Sequence, residues 1–231
     1  MREIVLDTET TGLEPATGDR VVEIGAVELI NHMPTGRTWH QYLNPDRMMP
    51  KEAFEIHGLS DDFLRDKPRF RAVAPAFLAF IGDATLVIHN APFDMKFLNH
   101  ELAAAGHPTL PMARAFDTVA LARQKFPGSP ASLDALCRRF GIDNSMREKH
   151  GALLDSEILA EVYLELIGGR QPDLTLAVTQ TSTTNQIIWR PEPRPNPLPP
   201  RLTDAERVAH KDFVAKLGAA ALWKKRQNHQ I

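Results

Sequence analysis

Ile4-Val5-Leu6-Asp7-Thr8-Glu9-Thr10-Thr11-Gly12 is an apolar strand that runs straight into acidic residues and a turn glycine. Side chains alternate along a strand, so Asp7 and Glu9 share one face, roughly 6.5–7 Å apart along the chain. Two carboxylates held on one face repel each other unless cations lie between them. All-oxygen donors in that arrangement suit hard ions such as Mg²⁺ or Mn²⁺. The competing reading is an edge strand that turns acidic residues to solvent.

Working outward, Val21–Leu29 and Trp39–Leu43 are β-branched or alternating runs bounded by turn residues, so with Ile4–Leu6 they predict a three-stranded meander. Apolar residues Val73, Phe77, Phe80 and Ile81 predict a helix over 68–81, with Pro75 near its first turn. Thr85–His89 reads as a short buried strand, 93–105 as a helix stopped by Gly106, and Arg114–Asp117 as a last strand. Helices follow near 118–125, over 132–140 between Ser132 and Gly141, and over 155–167. The expected fold is α/β: a mixed five-stranded sheet with helices on both faces, spanning 1–169.

Beyond Gly169 the character changes. Prolines at 191, 193, 195, 197, 199 and 200 favour extended, semi-rigid geometry, so 170–200 reads as a linker segment. Within 201–231, Thr203–Leu222 turns helical again: Thr203 with Glu206 makes a capping box, followed by apolar Val208, Phe213, Val214, Leu217 and Leu222. One helix cannot bury such a face by itself, which predicts a docking tail.

Net charge is −2, which argues against a simple electrostatic binder of nucleic acid. It argues less against an enzyme whose bound cations invert the local sign. The charge is divided: 1–170 carries −6 and 201–231 carries +4. The single cysteine, Cys137, leaves no disulfide framework and no Cys-rich zinc site, and its helical setting predicts a buried structural thiol. No apolar run approaches a bilayer span, and the opening residues are too soon acidic for a signal peptide. A cytoplasmic location is the expectation.

Two further motifs follow the first. In His89-Asn90-Ala91-Pro92-Phe93-Asp94, a buried strand ends and Asp94 falls in the first turn of the next helix. Functional groups of open α/β sheets gather at such strand ends. In His150-Gly151-Ala152-Leu153-Leu154-Asp155, a His precedes an acid by five. That spacing is uninformative alone: 9 His and 29 acids predict roughly one such pair by chance, and His57–Asp62 and His89–Asp94 also match.

Together and in this order, the three motifs resemble the DEDDh class of 3′→5′ exonucleases, built on an RNase H-like sheet, over residues 4–169. The likeness extends to the proofreading (epsilon) subunits of bacterial replicative polymerase III through Val22-Glu23-Ile24-Gly25-Ala26-Val27-Glu28, Val87-Ile88-His89-Asn90-Ala91 and Ser132-Leu133-Asp134-Ala135-Leu136-Cys137. The resemblance implies two Mg²⁺ or Mn²⁺ ions held by Asp7, Glu9, Asp94 and Asp155, and His150 as the base that deprotonates water. His150 is preferred to His89 and His57 by family position alone. Glu52 and His57 match the segment that grips the terminal nucleotide, with Thr8, Thr10 and Leu13 beside it. The structural alternative for Glu52 and His57 is a surface turn.

The resemblance also implies partners. The substrate is DNA with a 3′ end. Gln171-Pro172-Asp173-Leu174-Thr175-Leu176 looks like a sliding-clamp peptide with Gln171, Leu174 and Leu176 as anchors. Residues 201–231 would bind the polymerase catalytic (alpha) subunit through Val208, Phe213, Leu217 and Trp223, and a small third subunit is a further candidate. The expected setting is the nucleoid-associated replisome, with no membrane partner. Two alternatives stand beside this: an RNA-trimming exoribonuclease of the same class, and a scaffold bridging clamp and polymerase. Direct nucleic-acid binding by Lys224-Lys225-Arg226 is a rival use of the tail.

Overall fold

A computed structural model describes residues 1–145, 149–169 and 201–218. The chain divides into two units, Met1–Thr175 and Leu176–Ile231.

The first unit is built on five strands: β1 (Arg2–Thr10), β2 (Val21–Ile30), β3 (Met33–Tyr42), β4 (Thr85–Ile88) and β5 (Ala115–Asp117). Their order is β3-β2-β1-β4-β5. The β1–β2 and β2–β3 pairs are antiparallel, whereas β4 runs parallel to both β1 and β5. The mixed five-stranded sheet is the one expected. Ile4, Val5 and Leu6 of β1 are fully buried. Such a continuous apolar run marks a central strand covered on both faces.

Helices supply both covers. The α-helices of this unit are, in chain order, α1 (Lys51–His57), α2 (Asp61–Leu64), α3 (Phe70–Ile81), α4 (Ala91–Ala105), α5 (Thr118–Lys125), α6 (Leu133–Phe140) and α7 (Ala152–Leu166), and the second unit has α8 (Asp204–Lys216). Ile4, Leu6, Ile24, Leu86 and Ile88 pack with α3 and α4 through Phe77, Ile81, Met95 and Leu98. Val5, Val27, Leu29 and Val87 face the opposite way and pack with α5, α6 and α7. Cys137 is fully buried in that second layer.

Two expectations change. β3 starts at Met33, six residues before Trp39, because Asn31 and His32 take left-handed backbone (φ 49° and 66°) in a tight hairpin. Residues 33–38 are exposed on this edge strand and carry no apolar alternation to announce it. Pro75 lies sixth in the twelve-residue α3, not near its first turn. It is exposed, so water can satisfy the carbonyl that its missing N–H leaves. The segment around Glu52 and His57 is a short helix in which only Ala53 and His57 are buried.

In α8 the expected capping box is present: Thr203 Oγ1 accepts from the Glu206 amide, and the Glu206 carboxylate accepts from the Thr203 amide. None of its residues is buried. Gln171, Leu174, Leu176 and Trp223 lie outside the described residues, as does the whole of 170–200.

Candidate active site

Strand β1 delivers the first two carboxylates. Asp7 and Glu9 point to the same sheet face as Val5, toward α7, while Thr8 points the other way. The β1–β2 register shifts between Glu9 and Thr10, an irregularity of the kind that re-aims side chains beside active sites. Thr10 Oγ1 then donates to the Gly12 carbonyl at 2.6 Å and folds the chain away from the sheet.

Two helix starts converge on this strand end. Asp94 and Asp155 are each the fourth residue of their helix, α4 and α7, where the positive end of the helix dipole favours a carboxylate. Both are buried. Asn90 adopts left-handed backbone before α4 (φ 70°), and Pro92 occupies a first-turn position where no N–H is needed.

Gly25 of β2 sets the position of α7. It is the cross-strand partner of Asp7. A side chain there would meet the Ala152 carbonyl and the Leu153 nitrogen at 2.2–2.3 Å, so only glycine lets the first turn of α7 rest on the sheet. Ser156 Oγ pins that turn by donating to the Gly25 carbonyl at 3.0 Å. At the far end of α7, the Tyr163 hydroxyl donates to buried Glu3 at 2.6 Å.

A cavity of about 280 Å³ results, lined by Asp7, Glu9, Asp94, His150 and Asp155, all five residues expected at the reacting centre. Within it, Glu9, His150 and Asp155 bring one donor atom each to within 4.8 Å of one another. His150 Nδ1 lies 3.3 Å from Asp155 Oδ2, with the imidazole half exposed. Asp7 and Asp94 line the same cavity but stand outside that tight group.

Asp94 reports on what the cavity needs. Burial pushes its carboxyl up to about 7, opposed by the Thr8 hydroxyl, which donates to Asp94 Oδ1 at 2.7 Å. A buried carboxylate is costly without a nearby positive charge. The acid-rich, oxygen-dominated donor set therefore fits divalent cations.

A second cavity of about 380 Å³ adjoins the first and shares Thr8, Glu9 and Phe93 with it. Of the residues expected to contact substrate, Glu9, Thr10, Leu13, Glu52 and His57 line it, whereas Asp7 and Asp155 line the first cavity. His57 is buried; its Nδ1 accepts from the Leu59 amide at 3.1 Å, and its ring also engages the Thr10 backbone. Burial lowers its pKa, which keeps the ring neutral and Nε2 a donor.

Sequence reading missed three contributors. Phe93 forms a wall common to both cavities, yet as an aromatic near a helix start it carries no distinguishing signal. Gly25 falls in an ordinary strand pattern. The third is the seat of His150: its amide donates to the Ile56 carbonyl at 3.3 Å, and Lys149 Nζ sits 5.1 Å from the centre of the Phe54 ring. Gly58, with φ 74°, ends α1 beneath the Lys149 stem. The rival His89 also lines the first cavity, where its Nδ1 is 2.9 Å from Thr118 Oγ1.

The Exonuclease family profile matches residues 4–163. Over 224 residues the chain is 50% identical to DNA polymerase III subunit epsilon of Rickettsia conorii, covering 94% of this chain and 96% of that one. With the Escherichia coli protein of the same name, identity is 45% over 238 residues, covering 96% and 97%. Among solved structures, the nuclease domain of 3′hExo, a DEDDh family member bound to rAMP, has a TM-score of 0.63 at 20% identity, covering 72% of this chain and 91% of that one. This last likeness is one of fold. The chain belongs to the Exonuclease family and, within it, to the DNA polymerase III epsilon subunits, the 3′→5′ proofreading exonucleases.

Proposed function

We propose that this exonuclease removes mispaired 3′-terminal nucleotides from DNA as 5′-monophosphates, with Asp7, Glu9, Asp94 and Asp155 holding two Mg²⁺ or Mn²⁺ ions. The observation that carries this reading is the convergence of all four carboxylates and His150 on one cavity. Bound there, divalent cations would supply Lewis acidity at the phosphate and water acidic enough to attack at neutral pH.

The chain's own groups do the rest. His150 takes the proton of the attacking water, a task suited to an imidazole whose ordinary pKa lies near working pH. Glu52, His57, Thr10 and Leu13 hold the terminal nucleotide in the neighbouring cavity. The His57 ring, buried in the wall of that cavity beside the Thr10 backbone, would hydrogen-bond the nucleotide. Phe93 between the cavities keeps the nucleotide and the reacting phosphate in register.

The remaining assignments concern assembly. Residues 201–231, through Val208, Phe213, Leu217 and Trp223, would bind the polymerase catalytic subunit. Residues 171–176, through Gln171, Leu174 and Leu176, would dock on the sliding clamp. The 170–200 linker would raise the local concentration of exonuclease at the primer end. The setting is the cytoplasmic replisome; among the described residues no helix is long and apolar enough to cross a membrane.

The test is excision of a mispaired 3′ nucleotide from primed DNA under single-turnover conditions. Asp7→Ala and Glu9→Ala should each abolish it while leaving the melting temperature within a few degrees. Full activity of either variant at saturating Mg²⁺ would overturn the assignment. Faster cleavage of short oligoribonucleotides than of mispaired DNA by the native chain would favour RNA as the substrate.

A further inference from the structure

We propose that Glu9, His150 and Asp155 also form a capture site for a zinc-class transition-metal ion, and that filling it switches the exonuclease off. The inference rests on the reading of Glu9 and Asp155 as metal ligands and adds a second, inhibitory ion chemistry to the same cavity.

The geometry is the first support. Zinc takes imidazole nitrogen and carboxylate oxygen at about 2.0–2.2 Å in a tetrahedron, which puts neighbouring donors roughly 3.3–3.5 Å apart. His150 Nδ1 and Asp155 Oδ2 are 3.3 Å apart, and the third donor, from Glu9, lies within 4.8 Å of both. Binding would require the Glu9 carboxylate to close the remaining gap. Three protein donors leave a fourth position open toward the 280 Å³ cavity, where water or a phosphate oxygen fits.

Donor chemistry is the second support. Carboxylates alone suit Mg²⁺, but an imidazole added to two of them shifts preference toward zinc and its neighbours. Glu9 and Asp155 are buried, whereas His150 is half exposed, so an ion arriving from solvent meets the imidazole first.

The functional consequence follows from sharing. An imidazole committed to a metal cannot accept a proton from water, and Glu9 and Asp155 cannot hold the hard catalytic ions at the same time. The zinc-class ion therefore competes with the catalytic set and removes its base.

The experiment uses the full metal-free chain, native and His150→Gln, with thermal melting as a check on folding. Zn²⁺ affinity is read by competition with a chromogenic chelator, and Mn²⁺ affinity from the electron paramagnetic resonance signal of unbound Mn²⁺. His150→Gln should weaken one zinc equivalent by at least about tenfold, since even outer partners of a ligand are worth that much. Its Mn²⁺ affinity should change by less than about twofold, since hard ions prefer oxygen donors. Co²⁺ on the native chain should give an intense tetrahedral visible band that His150→Gln loses. In Mg²⁺, one equivalent of Zn²⁺ should arrest excision by the native chain, and a chelator should restore it. Equal zinc affinity of the two chains would overturn the inference and leave His150 and Asp155 as an ion pair. Failure of the native chain to bind Mn²⁺ would instead overturn the carboxylate reading, and the zinc comparison would still decide this one.

Discussion

Gly25 and Asp94 show at the residue scale how the site is placed and what it lacks without cations. No side chain fits between Gly25 and the backbone of Ala152 and Leu153, so Gly25→Ala must lift the first turn of α7, and Asp155 with it. Overpacking of this kind costs about 1–3 kcal/mol, and a misplacement near 1 Å can cost about a hundredfold in rate. Single-turnover excision should therefore fall far more than thermal melting does; equal activity would show that α7 has another rest. Asp94 makes a pH prediction. Its carboxyl is raised from an unfolded value near 3.8 to about 7, so the metal-free fold holds more protons than the unfolded chain between those values. Stability from this group is present below about pH 4 and lost as pH rises through 7. Asp94→Asn keeps an oxygen for the Thr8 hydroxyl and removes the charge, so it should flatten that decline in melts run with a chelator. Saturating Mg²⁺ should restore the native chain above pH 7 and stabilise the variant less, since Asp7, Glu9 and Asp155 remain in it. Parallel melting curves for both chains would contradict the burial argument.

At the scale of elements, α1 serves two tasks. It contributes Glu52 and His57 to the nucleotide cavity, and its last turn seats Lys149 and His150 through Phe54, Ile56 and Gly58. The wall of the second cavity and the seat of His150 thus share one short helix. Phe54→Ala removes the ring beneath Lys149, a contact of about 0.5–1 kcal/mol at an exposed site. It should lower kcat by roughly two- to fivefold, with KM and melting temperature nearly unchanged; a change in KM alone would confine α1 to binding. Nothing in the sequence pattern announced this helix, because seven residues with two buried positions give no usable periodicity. The edge strand β3 hid its first half for the same reason, having no buried face there to impose alternation. The apolar runs of β1 and β4 and the capped helix α6 were legible, since burial and capping leave local marks. Asp7 and Glu9 stood on strand geometry, whereas Asp94 and Asp155 took meaning only from the order of the motifs. Gly25 stayed silent because its role depends on what packs over it, a fact of tertiary structure.

Across the whole molecule, the acidic catalytic body and the basic tail carry separate tasks. The 1–170 segment holds −6 of formal charge, which suits a cavity that admits a phosphate only after cations have bound. In the tail, α8 has a complete capping box, so its start is specified locally, yet Val208, Phe213 and Leu217 are 59%, 60% and 43% exposed. A helix with a locally specified start and exposed apolar residues is the face expected to dock on a partner. Deleting 201–231 should leave single-stranded DNA excision unchanged within about twofold, because every residue lining the two cavities lies before Gly169. The same deletion should abolish co-purification with the polymerase catalytic subunit. Val208→Asp with Phe213→Asp in the full-length chain should reproduce that loss without touching the capping box, which separates a docking face from a mere need for chain length. If the double variant still binds the polymerase, the basic residues 224–226 become the contact, and raising the salt concentration should then release the complex.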